Sequence, residues 1–374
     1  MTQKPLLFLS DSPSLQTGLA RIGRGLACLA AELPEFRVGY LGRGGIASRQ
    51  IPITQYTFPE SDGFGNEALI DHVWRDFSRD GDGIIFVIND AARNRWLSRG
   101  SWLAKRRDKV EIWSYCPVDA ITPGGGLSPI ERDALLGYNR VLAYGPFGAN
   151  ALSLTLQSEI DWIPHGISTG VFQPRDRQAA RIALQMDERD KVVGCVMTNQ
   201  LRKDWAVAIK AISLLPSDWR AWLHVDVLER HWSLPALIDE YGVQDRIKVT
   251  MTGDMNDTEL SYAYSACNVT MLPSAEGWGF PIAESLACGT PVVHSEYAGG
   301  NWNLPTVRYI KPADYRVEGT FNAQRPIFKA EEFAEAVQGF KQKREECMAS
   351  VQHLAWKPLW DGCWKKWFLK GVGK

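Results

Sequence analysis

Two glutamates, Glu276 and Glu284, bracket seven residues in the run Ser274-Ala-Glu-Gly-Trp-Gly-Phe-Pro-Ile-Ala-Glu-Ser-Leu-Ala-Cys-Gly-Thr-Pro-Val-Val293. Between them lies a Gly-Trp-Gly-Phe turn followed by a proline. Such a turn presents bare backbone N–H groups, and Pro281 suits the first position of a helix. A helix start attracts anions, phosphate above all. The two carboxylates would repel a phosphate, but they accept hydrogen bonds from hydroxyls such as those of a sugar and a ribose. The segment therefore reads as a site for a phosphate flanked by two polyols, which describes a nucleotide-sugar.

The elements that must position these groups follow an α/β pattern, in which short apolar runs alternate with helical periodicity. Strands are expected at Leu6–Leu9, Val38–Leu41, Ile84–Ile88, Val110–Tyr115, Val141–Tyr144 and Asp161–Ile163. After Pro174 they resume at Val192–Val196, Ala221–Val225, Ile247–Thr250, Asn268–Met271 and Pro291–His294. Helices are expected near 19–33, 66–79, 94–106 and 129–137, then 204–215, 233–241, 257–266 and 281–288. Residues 299–330 read as irregular. Two such halves imply two Rossmann-like domains, with a seam near 164–175 where Pro164, Gly166, Gly170 and Pro174 cluster. A chain of 374 residues also exceeds what one core usually organises. The expected division is an acceptor domain over 1–165, a donor domain over 166–350 and a Trp-rich terminal helix over 351–374. In that helix Trp356, Trp360, Trp364 and Trp367 share one face, which suits docking onto a core groove.

Composition excludes several classes. The formal net charge of −1 gives no global field for nucleic acid or membrane. Seven scattered cysteines, never spaced C-x-x-C, suit free thiols in a reducing, cytoplasmic setting rather than a disulfide or zinc framework. No run reaches the roughly 18 apolar residues of a membrane span, and Met1 to Ser10 reads as a buried strand. No P-loop or complete G-x-G-x-x-G follows a strand, so ATP or NAD binding is not expected. The sequence sets no oligomeric state.

The Glu276–Glu284 segment resembles the E-x7-E signature of glycosyltransferase family 4, a retaining family with the GT-B fold. Tyr262-Ala-Tyr-Ser-Ala-Cys-Asn-Val-Thr-Met-Leu-Pro-Ser274 is similar to the helix and strand that lead into that signature. Trp162-Ile-Pro-His-Gly-Ile-Ser-Thr-Gly-Val-Phe-Gln-Pro174 resembles the family's interdomain segment, with His165 in place of the usual asparagine. Cys195-Val-Met-Thr-Asn-Gln-Leu-Arg-Lys-Asp204 resembles its diphosphate-binding strand and loop. The resemblance implies two Rossmann-like domains facing across a cleft, with the C-terminal helix packing back on the N-terminal domain. It implies that Arg202 and Lys203 neutralise the donor diphosphate, that Glu284 holds the ribose and that Glu276 lies by the sugar ring. The backbone of Gly277, Trp278, Gly279 and Phe280 would approach sugar and phosphate. Gly18, in the loop after the first strand, matches the position of the family's glycine loop, and Arg21 could add charge. The donor nucleotide is expected to be UDP, with GDP and ADP as alternatives, and contacts to its base are expected around Gly253 to Asn256. No obligatory cofactor or metal is implied. Asp80-Gly-Asp82, which matches a D-x-D pattern, reads as a turn.

The acceptor side is less determined. Asp119 follows the strand ending at Tyr115, and an acid just past a parallel strand faces the ligand crevice of an open sheet. It would orient an acceptor hydroxyl or stabilise charge on the sugar ring; capping the following turn is the plain alternative. Arg93, Arg95, Arg99, Lys105, Arg106, Arg107 and Lys109 cluster with Trp96 and Trp102. On a helix they would form a solvated face, track a DNA backbone, or lie on anionic lipid. Some GT-B enzymes glycosylate hydroxymethylated bases in viral DNA, so the resemblance to that fold makes such a base one expected acceptor. Small-molecule, lipid and polysaccharide acceptors stand beside it, as does a GT-B-like nucleotide-sugar epimerase.

Overall fold

The computed structural model describes residues 3–49 and 51–373. The chain divides into two compact units. The first holds the chain up to Gly166, the turn Glu318–Ala323 and the segment from Trp356 onward. The second holds Ile167–Val317 and Gln324–Ala355.

The first unit is built on six parallel strands: β1 (Lys4–Asp11), β2 (Phe36–Arg43), β3 (Thr54–Phe58), β4 (Gly83–Ile88), β5 (Val110–Cys116) and β6 (Arg140–Ala143). Their order across the sheet is β3-β2-β1-β4-β5-β6, with Leu6 paired to Val38 on one side and to Ile84 on the other. The central strands are buried on both faces, as their unbroken apolar runs demand. The second unit repeats the plan with β7 (Lys191–Val196), β8 (Trp219–Val225), β9 (Ile247–Met251), β10 (Val269–Leu272), β11 (Val292–Ser295) and β12 (Val307–Ile310). Its order is β12-β11-β10-β7-β8-β9. Read from the other edge, this is the order of the first sheet. Each sheet thus reverses its winding once, between β1 and β4 and between β7 and β10. Ligands of open α/β sheets bind beyond the carboxyl ends of the strands at such a reversal.

Four local expectations are corrected. Asp161–Ile163 is no strand and makes a single bridge, Trp162 to Ala143; the run is too short before Pro164 to pair further. Thr54–Phe58 is an edge strand whose polar alternation hides it from a search for apolar runs. Residues 299–330 contain β12 and two further paired strands, Asp314–Glu318 and Ala323–Ile327. The helix expected over 94–106 is broken into the short turns Ala91–Asn94, Arg95–Ser98 and Ser101–Ala104. The break falls at Gly100, which is packed so closely that a Cβ there would lie 2.1 Å from the Trp96 carbonyl oxygen.

The C-terminal tryptophans belong to the first unit. They lie on a helix that widens into a π-turn over Trp360–Trp364 before resuming as Lys365–Lys370. Trp360, Trp364 and Phe368 are buried. Trp364 packs edge-on to Tyr115, with ring centres 4.8 Å apart, and donates its indole N–H to Pro164 O. Trp367 and Phe368 close over Phe86 of β4. The tail is thus part of the first core, held by aromatic area and edge-to-face geometry.

Candidate functional site

In the second unit the loops after β7 and β10 meet at the winding reversal. Arg202 and Lys203 end a 3₁₀ turn, Leu201–Lys203. Asp204 then caps the helix Trp205–Ser213 by accepting from Val207 N. The backbones of the two loops are tied in both directions. Ala275 N donates to Arg202 O at 3.1 Å, and the Arg202 guanidinium donates to Ala275 O at 2.7 Å. Glu276 follows, 6% exposed. Its carboxylate is ion-paired with the Lys203 ammonium and lies 3.5 Å from Arg202. It also accepts from Ser274 Oγ at 3.0 Å. Burial alone would raise the Glu276 pKa, but Lys203 and then Arg202 outweigh it and bring it down to about 2. Two cations thus face the buried Glu276 carboxylate.

The helix Phe280–Ala287 begins beside this cluster. Its N-cap Gly279 sits at φ +105°, a backbone region that favours glycine, and supplies no side-chain cap. A Cβ at Gly279 would also lie 2.7 Å from Ile282. The head of the helix therefore offers an uncapped, partly positive end to an anion. Glu284 lies one turn further on, 2% exposed, and accepts from Tyr264 Oη at 3.0 Å. The Trp278 ring is turned into the core, 4.7 Å from Trp302 and 5.3 Å from Phe280. This part of the turn thus has backbone rather than indole face to offer.

Three contributors were not singled out in the sequence. Ser274 and Tyr264 orient the two glutamates. His294, at the end of β11, is fully buried. Burial, with Lys203 adding to it, drops the His294 pKa to about 4 against the opposing pull of Glu276. The one sequence signal for it was a histidine interrupting the apolar run Val292-Val293.

In the first unit, Gly18 opens the helix Gly18–Ala30. Thr17 caps that helix by accepting from Ala20 N and donates its own hydroxyl proton to Asp11 at 2.7 Å. Asp119 is half-buried beyond the carboxyl end of β5. Its charge, with that of Asp90, adds to the burial that raises the pKa of Glu131. His165 is buried, with Nδ1 3.2 Å from Tyr115 Oη, and burial holds it well below the usual histidine range.

The basic run is largely paired with carboxylates. Arg93 bridges to Asp90 at 2.8 Å, Arg95 and Arg99 share Asp133, and Arg106 meets Asp71. Arg107 donates to the carbonyls of Ser98 and Gly137, and Trp96 donates to Phe64 O. Lys105 pulls the Glu67 pKa down, after the hydrogen bonds that do most of it. With the helix broken at Gly100, these residues do not form the expected continuous stripe. Asp80 lies in a turn at φ +57° and faces Arg75 and Arg106. Among the described residues no helix is long and apolar enough to cross a membrane.

Residues 176–306 match the family described as Glycosyl transferases group 1. A D-inositol 3-phosphate glycosyltransferase of Mycobacterium sp. (strain KMS) is 35% identical over 147 residues, which are 38% of this chain and 33% of that protein. The corresponding protein of Mycobacterium marinum is 32% identical over 151 residues, 38% of this chain and 31% of its own length. The match thus spans about a third of these curated relatives. Sucrose-phosphate synthase from Thermosynechococcus elongatus superposes over the whole of both chains with a TM-score of 0.79 and 17% identity. Anabaena Alr3699/HepE, in complex with UDP and glucose, gives a TM-score of 0.74 and 15% identity over 98% of this chain and 99% of that one. At such identity the likeness is one of fold: two Rossmann-like domains of the GT-B type.

Proposed function

For a chain that carries a group 1 glycosyl transferases domain over residues 176–306 within a GT-B fold, we propose transfer of a sugar from a nucleoside-diphosphate donor to a hydroxyl acceptor, with retention of configuration. The observation that carries this reading is the cluster at the second winding reversal. Arg202, Lys203 and the uncapped helix head after Gly279 form an anion site, and Glu276 and Glu284 flank it as buried hydroxyl acceptors. Arg202 and Lys203 hold the diphosphate and stabilise its charge as the glycosidic bond breaks. Glu284 takes the ribose hydroxyls and Glu276 the sugar. UDP is the nucleotide proposed, its base contacted around Gly253 to Asn256, in keeping with the UDP present in the Anabaena structure.

The poor basicity of Glu276 supports the retaining route. A carboxylate with a pKa near 2 is a weak base for an acceptor hydroxyl. The departing phosphate oxygen is the better one, and it lies on the face of the sugar that the leaving group vacates. Asp119 is assigned to the acceptor hydroxyl, and Gly18 to backbone approach to the donor phosphate. The seven unpaired cysteines fit activity in a reducing compartment, the cytoplasm.

The test is release of nucleotide from UDP-, GDP- and ADP-sugars, with polyols, sugar phosphates, lipid vesicles and hydroxymethylated DNA offered in turn. The reading expects acceptor-stimulated UDP release and a product with the donor's anomeric configuration. An inverted product would remove the retaining mechanism. Epimerised donor without acceptor would replace transfer by epimerisation, and no release from any donor would overturn the reading.

A further inference from the structure

His294 is not needed by the assignments above, yet its ring lies in the middle of the proposed donor site. Its Nδ1 is 2.8 Å from Leu272 O. A carbonyl can only accept, so Nδ1 carries the proton and Nε2 presents a bare lone pair. That Nε2 is buried and meets no hydrogen-bond partner among the described residues. A buried acceptor left unsatisfied is costly, and each such group calls for an explanation.

Its surroundings supply one. A Cβ added at Gly300 would lie 2.2 Å from Nε2 and 3.2 Å from the Glu276 Cβ. The nitrogen, the stem of Glu276 and Gly300 therefore converge, with the glycine backbone packed against Nε2 so closely that a side chain there would have to displace it. Gly299 is pressed as closely on Gly277, where a Cβ would lie 2.0 Å from the carbonyl oxygen. Ala298 bridges to Glu276 while held at φ +61°. Backbone strain of this kind is kept at ligand clamps. Burial keeps the ring neutral, so Nε2 is an acceptor through the physiological range.

We propose that His294 is a recognition residue of the donor-sugar subsite, its bare Nε2 accepting a hydroxyl proton from the sugar beside the Glu276 carboxylate. The Gly299–Gly300 turn is the flap that moves to admit that hydroxyl. Two acceptors side by side select a sugar that offers hydroxyls there over one that is deoxygenated or O-alkylated, because the analogue leaves them unpaired. The assignment rests on the donor reading above.

The experiment measures affinities for UDP and for UDP-glucose in the unchanged protein, in His294→Asn and in Gly300→Ala. Asn keeps a donor for Leu272 O and lacks Nε2, whereas the alanine methyl displaces Nε2. The proposal expects the unchanged protein to bind UDP-glucose more tightly than UDP. Both variants should lose about tenfold or more on UDP-glucose, the scale of one buried hydrogen bond, with UDP held to within about twofold. Among mono-deoxy glucose donors, one position should be penalised in the unchanged protein and no longer in His294→Asn. Equal weakening of UDP and UDP-glucose would mark a purely structural histidine and overturn the proposal, as would unchanged affinity for both. Failure of the unchanged protein to bind UDP at all would overturn the donor reading first, and this assignment with it.

Discussion

The two sheets share one strand order and differ in what stands at its reversal. In the second unit the loops after β7 and β10 carry the half-buried Arg202 and the buried Lys203 and Glu276, tied together by backbone and side chain. In the first, β1 ends at Asp11 and β4 is followed by Asp90, whose cationic partners Arg43 and Arg93 are part-exposed. The same strand order thus carries cations beside a buried carboxylate at one reversal and the carboxylates Asp11 and Asp90 at the other. The fold fixes where a ligand can sit; the side chains after the strands fix which charge it can bear.

The sharpest way to break this contrast is Lys203→Ala. It leaves the Glu276 carboxylate buried without its nearest cation, so about 3 kcal/mol of stability should go, together with at least about a hundredfold in turnover. Denaturant unfolding and UDP-release rates check both. Asp119→Asn should do the reverse: turnover falls by roughly tenfold to a hundredfold while UDP affinity, followed by calorimetry, stays unchanged. A loss of UDP binding in that variant would erase the division of labour between the units.

Acid sharpens the contrast further. His294 binds a proton at about 4 in the fold against 6.5 in the open chain. The unfolded chain therefore holds more protons between those values, and this part of the stability is complete above about pH 6.5 and declines as pH falls towards 4. Glu276, lowered from 4.5 to about 2, adds a second loss below pH 4.5. Melting temperature against pH should fall through both windows, and His294→Asn should flatten the upper one. The smallest effect is expected for Arg95→Ala with Arg99→Ala. Their part-exposed pairs with Asp133 contribute little to stability, and UDP affinity should not change.

What the sequence disclosed follows the same division. The turn and helix of the Glu276–Glu284 segment were legible because their pattern is local: two glutamates and a glycine turn fall within one strand-turn-helix. The central strands were legible as unbroken apolar runs. Thr54–Phe58 and Val307–Ile310 escaped because edge strands are half solvated and alternate. The carboxylate partners of the basic run, Asp71 and Asp133, were not legible because they lie far along the chain, and the helix break at Gly100 was not legible because its close packing is tertiary. His294 escaped for a related reason. Its meaning lies in a carbonyl 22 residues away and in a glycine turn folded back upon it.

The central claim is that the second winding reversal holds the donor diphosphate, and a crystal structure of the protein with UDP tests it most directly. The account predicts phosphate oxygens within hydrogen-bonding distance of Arg202, Lys203 and the backbone N–H groups at the head of the helix Phe280–Ala287, with the ribose hydroxyls on Glu284. UDP seated elsewhere, or phosphates held by the first unit with Lys203 still closed on Glu276 alone, would contradict it.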